Sequence, residues 1–488
     1  MTAPTATAAT AATAATAATA APTATAATGT VREPLLVGNG QGFWGDTIAG
    51  PMRLVREGPL HYLTLDYLAE VTMSILHKAR RRDPAAGYAT DFVKLLAEIL
   101  PECHERGIRI IANAGGVNPR ACADAVGALA ARLGRGGLRI GVVDGDELVG
   151  RVGTLVDGGE LFTNLDTGEN LAPQLERLQS ANAYLGAWPI VDALRDGADI
   201  VITGRCTDAS LTVAPIAHEF GWSPEDYHRL AAATVAGHII ECGAQCTGGN
   251  FEGWRDVRGW ATIGYPIVEA YADGSFVVTK HRGTGGLVNC DTVTAQLLYE
   301  IADPRRYLTA DVVADFTSIE LHDDGPDRVR VTGVHGAAPT PTYKVSCTLQ
   351  AGFKAVGQLT VPGPDAVEKA QLTADILFDR LALQRVHFGA AERLVEVIGA
   401  GVCLAPGAPA AFIADPPEVV LRIAVQSADR GAVDRFGSEL ASLLTSGPPG
   451  LTGFAGGRPK PSDVLEHWPA LVAKTAVNPQ VEVREVPA

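Results

Sequence analysis

The sequence predicts an α/β protein: a doubly wound, mostly parallel β-sheet, followed by a second, smaller α+β sandwich domain. Three observations carry this prediction. Short apolar runs, typical of strands buried on both faces, alternate with stretches of helical period. The pattern changes after about residue 335, where pairs of strands precede each helix. The chain has 488 residues, 47% of them hydrophobic, which is enough for two separate cores.

The first domain is assigned to residues 30–335, where strand and helix alternate. Its predicted strands are residues 34–37, 61–65, 108–113, 138–143 and 199–203. Its predicted helices start near residue 46 and at residue 68, and then cover 92–106, 119–133, 189–196 and 224–243. Pro119 behind Asn118 is a typical helix start, because proline at the first helical position loses no hydrogen bond.

The second domain is assigned to residues 336–488. Two strands (344–349 and 353–359) and a helix (365–383) are followed by two strands (394–398 and 418–425) and a helix (430–444). This order predicts an α+β sandwich. Residues 1–29 are a low-complexity run of Ala and Thr without the basic and Leu-rich regions of a secretory signal. We expect them to form a disordered tail.

Charge and composition exclude several partners. The formal net charge is -15, and no basic run exceeds Arg80, Arg81 and Arg82, so we expect no nucleic-acid partner. No apolar stretch is long enough to cross a bilayer, which predicts a soluble protein that does not bind membranes. The eight cysteines are scattered and typical of reduced thiols, which predicts a cytoplasmic location. The expected partner is a small-molecule substrate.

The first candidate site is the glycine loop, residues 40–45, between a predicted strand and a predicted helix. With Asp66 about twenty residues further on, it has the elements of a dinucleotide-binding fingerprint. Bulky Phe43 and Trp44 and the negative charge of Asp46 are awkward beside a phosphate. A nicotinamide or flavin site, a site for another ligand and a simple turn remain open alternatives. The candidate ligand contacts are Asn39, Gln41, Gly42 and Asp46.

Two further segments follow predicted strands. Carboxyl ends of parallel strands form the ligand crevice of doubly wound folds, so the glycine loop and residues 113–120 are expected to face one site. Residues 113–120 are explained equally well as a turn with Asn118 as the N-cap, and residues 203–210 as a capping pair. Arg205 is suited to clamp a carboxylate or phosphate, and Asp208 to act as a base or hold that arginine. The candidates are Asn113, Gly115 and Gly116, then Arg205, Asp208 and Ser210.

A third group surrounds His238. His238, Cys242 and Cys246 are spaced four residues apart, which suits either zinc ligands or a nucleophile and its base. Gly243 and Gly248 are expected to end the helix before Cys246 reaches the same face, so we predict no metal site. A histidine with only a structural role is the remaining alternative. The candidates are His238 and Cys242 for catalysis and Asn250 for substrate binding.

Two more glycine loops lie beside basic residues. One follows the basic residues 280–282, and the other lies within residues 446–460. A cation next to a flexible loop suits an anionic group such as a coenzyme A phosphate. A plain interdomain loop is the alternative for the second. The candidates are Gly285 and Gly286 in the first loop and Arg458 and Lys460 in the second.

Five segments, residues 37–46, 113–116, 183–189, 203–208 and 241–250, together resemble the acyclic terpene utilisation (AtuA) family. The likeness covers about residues 35–475. It implies a role in the breakdown of branched acyclic terpenoid acids carried as coenzyme A thioesters, and no catalytic residue is carried over from the family. Some relatives look longer at the C-terminus, which implies a small partner subunit beside the expected homo-oligomer.

These observations predict a lyase or hydratase that acts on a branched acyl-CoA or related carboxylate. Arg205 and Arg458 would bind anionic groups, and His238 or Asp208 would move a proton. No cofactor is predicted beyond coenzyme A as part of the substrate. A nicotinamide-dependent oxidoreductase is the first alternative and would show bound-cofactor absorbance. A non-catalytic ligand-binding or scaffold subunit is the second and would copurify with another polypeptide.

Overall fold

The computed structural model describes residues 33–404, 416–453 and 456–487. The predicted tail, residues 1–29, lies outside these ranges. The first elements are β1 (Leu35–Asn39), α1 (Ala49–Glu57), β2 (Tyr62–Leu65), α2 (Glu70–Arg82), α3 (Thr90–Arg106), β3 (Arg109–Ala112), α4 (Pro119–Arg132), β4 (Arg139–Asp144), α5 (Val152–Asp157), β5 (Leu178–Ala183), α6 (Trp188–Arg195), β6 (Ile200–Thr203), α7 (Ser210–Phe220) and α8 (Tyr227–Ile240).

The remaining elements contain more strands than helices. They are β7 (Pro266–Ala270), β8 (Phe276–Lys280), α9 (Cys290–Leu297), β9 (Tyr307–Leu308), β10 (Val313–Asp315), β11 (Glu320–Asp323), β12 (Arg328–Thr332), β13 (His335–Ala337), β14 (Thr342–Pro362), α10 (Ala366–Leu383), β15 (Arg393–Ile398), β16 (Glu418–Ser427), α11 (Arg430–Ser446), β17 (Thr452–Gly453), β18 (Ser462–Ala473) and β19 (Gln480–Glu485). None of the described helices is long and apolar enough to cross a lipid bilayer.

A ten-stranded sheet confirms the α/β class. Its centre is parallel, with strands in the order β1-β2-β3-β6-β4. Both flanks are antiparallel: β19 pairs with β4, and β7, β8, β12 and β11 extend the sheet beyond β1. Parallel pairing is therefore confined to the strands that are connected through helices.

Helices cover both faces of the parallel centre, as the continuous apolar runs predict. Ile110 and Ala112 of β3 pack with α1, α3 and α4, whereas Ile111 between them packs with α6, α7 and α8 on the opposite face. Successive side chains of a strand point to opposite faces. A strand buried on both sides therefore needs apolar residues at consecutive positions, and residues 110–112 supply them.

The second sheet is built around β14, which carries β5, β16, β17 and β18 as antiparallel partners. The sequence predicts two strands here, 344–349 and 353–359, but the structure has one strand of 21 residues with an irregularity between Gln350 and Phe353. Both halves find partners, so the chain continues straight through Gly352, whose φ is +109°. Helices α10 and α11 pack on the far half of β14. The domain boundary at residue 335 stays a prediction.

Polar residues follow the parallel strands at their carboxyl ends, as expected for this fold. Asn39 ends β1, Asp66 follows β2, Asn113 follows β3 and Arg205 follows β6. Some boundaries differ from the prediction: α1 begins at Ala49 rather than near residue 46, and α8 covers Tyr227–Ile240 rather than residues 224–243. Residues 40–48 are thus an irregular segment, which folds back under the end of α8.

Candidate functional site

A cavity of about 300 Å³ opens beside the carboxyl ends of β2 and β6. Its wall combines residues from both halves of the chain and is rich in charged and aromatic side chains. The residues that line it include Glu70, Tyr184, Arg205, Asp208, His238, Glu241, Glu300, Tyr307, Leu308, Lys344 and Leu471. The structure therefore brings together three of the four predicted catalytic residues, Arg205, Asp208 and His238.

Arg205 is held in place from several sides. Its Nη1 donates hydrogen bonds to Asp208 Oδ1 at 2.6 Å and to the Leu68 carbonyl at 2.8 Å, and its guanidinium lies 4.2 Å from the centre of the Tyr184 ring. The side chain is only 3% exposed, and its Nε has no hydrogen-bond partner among the described residues. Burial raises the pKa of Asp208, although the charge of Arg205 acts against this. The buried cation thus already has a carboxylate partner.

A second ionic group on the cavity wall joins Glu70 to Lys344, which comes from the C-terminal half of the chain. Glu70 accepts a hydrogen bond from the Tyr184 hydroxyl at 2.5 Å and lies 3.7 Å from Lys344 Nζ. Burial tends to raise the pKa of Glu70, but the Tyr184 hydroxyl and the charges of Arg205 and Lys344 outweigh it and hold the pKa at about 2. Glu70 is therefore a carboxylate throughout the neutral range.

The pair formed by His238 and Glu241 is buried at the end of α8. His238 is 1% exposed, and its Nδ1 lies 3.2 Å from Glu241 Oε1. Burial raises the pKa of Glu241 to about 7, with His238 acting in the opposite direction. Burial by itself lowers the pKa of His238, but the hydrogen bond and charge of Glu241 outweigh it and raise the pKa. The pKa values of both groups are thereby raised, that of Glu241 into the neutral range.

The second nitrogen of His238, Nε2, is buried and has no hydrogen-bond partner among the described residues. The carbonyls of Gln296 and Leu297 approach the ring and favour its protonated form. The rings of Tyr307 and Phe316 pack against the imidazole, with distances of 5.3 and 5.8 Å between the ring centres. An aromatic wall keeps this side of the cavity at low polarity, where electrostatic interactions are strong.

Buried carboxyl groups support the cavity from behind. Asp66 accepts hydrogen bonds from Asn113 Nδ2 at 2.6 Å and from the Leu68 N–H. Burial and the charge of Asp208 raise its pKa well above the ordinary value. Asp146 accepts the Arg205 N–H at 2.9 Å. A Cβ at Gly204 would lie 2.1 Å from Asp146, so a glycine is required for this carboxyl group to hold the Arg205 backbone.

Ser210 and the second candidate loop have structural partners. Ser210 Oγ lies 3.4 Å from Asp311, which also accepts the Ala187 N–H. Gly115 and Gly116 allow close packing, because added Cβ atoms would lie 2.5 Å from the Thr203 carbonyl and the Leu76 side chain respectively. These residues determine the packing at the edge of the sheet. Asn113 connects the second candidate loop to Asp66 through the hydrogen bond described above.

The glycine loop is closed by its own polar groups. Asp46 accepts hydrogen bonds from the Gly42 N–H at 3.2 Å and the Tyr265 hydroxyl at 2.9 Å. A Cβ at Gly42 would lie 2.8 Å from the Cys242 backbone. Asn39 donates to the Ile240 and Glu241 carbonyls at 2.7 and 2.9 Å. The loop thus supports the end of α8, where His238 and Glu241 lie, and its predicted residues contact the site through that helix.

The other predicted residues lie apart from the cavity wall. Cys242 is half-buried, and burial raises the pKa of its thiol to about 12, so it is a neutral thiol at physiological pH. Asn250 has a φ of +55°. Gly285 and Gly286 pack against the backbones of Gly259 and Thr247 respectively. Arg458 and Lys460 line a different groove, between β14 and α11.

Six of the charged and aromatic residues that line the cavity were not among the predicted site residues: Glu70, Tyr184, Glu241, Glu300, Tyr307 and Lys344. Tyr184 and Glu241 lie within segments that resemble the family, which was the available signal for them. The others belong to distant helices, strands and turns whose approach depends on the tertiary fold. Within the described residues, no group of three His, Cys, Asp or Glu side chains is arranged to hold a metal ion.

Comparison with curated proteins and with solved structures gives no match. The family model described as "Acyclic terpene utilisation family protein AtuA" matches residues 35–483, which is nearly the whole chain. The matched range contains all the residues that line the cavity. The chain therefore belongs to the acyclic terpene utilisation family AtuA.

Proposed function

We propose that this AtuA-family protein is an enzyme of acyclic terpenoid or branched-acid metabolism that adds or removes water at a branched acyl thioester. The observation that carries the proposal is the buried pair of His238 and Glu241 on the cavity wall. General acid–base catalysis works best when the pKa of the catalytic group lies near the working pH. Burial raises the pKa of Glu241 to about 7, and the interaction with Glu241 raises the pKa of His238.

The pair has a defined division of roles. Glu241 faces Nδ1 of His238 and favours the tautomer in which this nitrogen carries the proton, which leaves Nε2 as the reactive atom. Removal of water from a 3-hydroxyacyl thioester would begin when Nε2 takes the proton from C2. The C3–O bond then breaks, and the departing hydroxyl takes that proton and leaves as water. Hydration is the reverse of these steps.

A neutral thioester suits the cavity better than a free carboxylate. Arg205, the deepest cation, is already bound to Asp208 and Leu68 and stacked on Tyr184. A volume of about 300 Å³ is at the lower end for ligand sites and suits a short acyl group, with the coenzyme A portion outside. Lys344, 44% exposed, lies where its charge can stabilise the thioester oxygen as negative charge develops.

The experiment is an activity screen with branched 3-hydroxyacyl and 2-enoyl thioesters, followed by ultraviolet absorbance of the conjugated thioester. In D2O, mass spectrometry should show deuterium at C2 of the product. We expect His238→Asn to lower kcat by about 100-fold or more. The matched control is His322→Asn, a histidine with a 63% exposed side chain, which should retain full activity. Equal activity in the two variants would contradict the role of His238.

The other predictions have less structural support or none. The oxidoreductase alternative requires Asp66 to meet a ribose, but Asp66 is 5% exposed and bonded to Asn113. Asp46 already binds the Gly42 N–H that a pyrophosphate would use. A scaffold role has no specific supporting contact. The acidic chain and scattered cysteines support a small-molecule substrate and a cytoplasmic location, and a homo-oligomer remains part of the proposal.

A further inference from the structure

We infer that Glu300 is a specificity-determining residue, which selects a neutral acyl group and rejects the corresponding free carboxylate. The inference deepens the proposed function and rests on it for the class of substrate. Glu300 lies in the turn after α9 and lines the cavity together with His238 and Glu241. Neither the glycine motifs nor the family resemblance points to this residue.

The charges of the cavity wall leave Glu300 unbalanced. Asp208 is paired with Arg205 at 2.6 Å, and Glu70 lies 3.7 Å from Lys344. His238 faces Glu241. Glu300 has no cation within ion-pair distance in the described ranges, 33–404, 416–453 and 456–487. The lining therefore has a surplus of negative charge on the side where proton transfer is proposed.

The charge of Glu300 acts on the groups around the reaction site. It contributes to the raised pKa values of Glu241, Cys242 and Tyr307, which places it close to all three. A second carboxylate in the cavity would meet the same repulsion, because like charges a few ångströms apart disfavour each other even where one of them, here the exposed Glu300, is in contact with solvent. A thioester carbonyl carries no net charge and avoids this penalty.

The backbone at Glu300 is strained, which is an independent observation. Its φ is +56°, in the left-handed region that favours glycine. Such residues cost free energy and are found preferentially at functional sites. A purely structural turn would be more stable with glycine here. The position therefore indicates a role for the carboxylate itself.

The test measures equilibrium binding to the full chain by calorimetry, with two probes of equal carbon skeleton: a branched short-chain acid and its neutral pantetheine thioester. Wild type should bind the thioester more tightly. We expect Glu300→Gln to bind the acid about five- to tenfold more tightly, as removal of one nearby charge predicts, and the thioester unchanged. Glu225→Gln, an exposed carboxylate outside the cavity, is the matched control.

Each outcome is decisive. Unchanged acid affinity in Glu300→Gln, equal affinity of wild type for both probes, or no binding of either probe would overturn the inference. Glu300→Gly separates charge from backbone strain: it should bind the acid as well as Glu300→Gln and unfold at a higher temperature than wild type. Selective binding of the thioester without any turnover would leave the role of Glu300 intact and contradict the proposed water chemistry alone.

Discussion

Two segments of this protein follow parallel strands of the same sheet, β1 and β6, and differ in how their polar groups are used. In the glycine loop, residues 40–46, the Asp46 carboxylate binds the Gly42 N–H and the Tyr265 hydroxyl. In residues 203–208, Arg205 and Asp208 line the cavity. The Asp46 carboxylate is thus used inside the fold, although Gln41 Oε1 has no partner among the described residues, whereas the second segment places charged groups on the cavity wall.

The difference teaches that glycine spacing alone does not identify a phosphate site. Both segments follow a parallel strand and contain glycine, but the two glycines make room for different neighbours. Gly42 makes room for the backbone of Cys242, and Gly204 makes room for the Asp146 carboxylate behind Arg205. A fingerprint loop needs open N–H groups beside a helix N-terminus, and here the intended N–H group already has a carboxylate partner.

The largest expected effect is on the charged segment. Arg205→Met should lower the free energy of unfolding by about 3–5 kcal/mol, because it leaves the partly buried Asp208 carboxylate without its cation. Urea denaturation at pH 7 measures this, with Arg305→Met as an exposed control. The double variant Arg205→Met/Asp208→Asn should recover part of the loss. A loss below about 1 kcal/mol would show that the ion pair contributes little to stability.

A smaller effect is expected from the carboxyl group behind that segment. Burial raises the pKa of Asp146 to about 7 in the folded state, so the folded protein binds a proton that the unfolded chain releases near pH 4. Its contribution to stability is complete at low pH and is lost as the pH rises to about 7. Between pH 5 and pH 8, the free energy of unfolding of wild type should fall by about 1–3 kcal/mol more than that of Asp146→Asn.

This prediction is checked by urea denaturation of both proteins at several pH values. Asp256→Asn, which replaces an exposed aspartate, should follow the pH dependence of wild type. Parallel curves for wild type and Asp146→Asn would show that the Asp146 carboxyl group does not titrate in this range.

The smallest effects concern the glycine loop and distinguish packing from backbone conformation. Gly42→Ala places a Cβ 2.8 Å from the Cys242 backbone and should cost about 1–2 kcal/mol. At Gly45 no atom lies within 4 Å of an added Cβ, but the φ is +103°, so Gly45→Ala should cost about 1 kcal/mol through backbone strain alone. Thermal unfolding ranks the two. The reverse order would mean that the loop is not packed against α8 as described.

Elements with local signals were predictable from the sequence, and the assembled site was only partly so. Residues 110–112 predict a strand buried on both faces, because a run of consecutive apolar residues can be recognised without knowledge of the tertiary fold. The antiparallel flank was missed although β7 and β8 are separated by Asp273-Gly274, a typical hairpin turn. Lys344 of β14 was beyond prediction, since its approach to Glu70 depends on the pairing of β14 with β5 and β18.

The central claim is that His238 and Glu241 form an interacting buried pair in which the pKa of each group is raised. Nitrogen-15 NMR of labelled histidines across pH measures it directly, with His238→Gln to assign the signal. We predict a pKa for His238 above the ordinary 6.5 in wild type and below 6.5 in Glu241→Gln, where burial acts without its carboxylate partner. A His238 pKa at or below 6.5 in wild type, or one that Glu241→Gln leaves unchanged, would contradict the account.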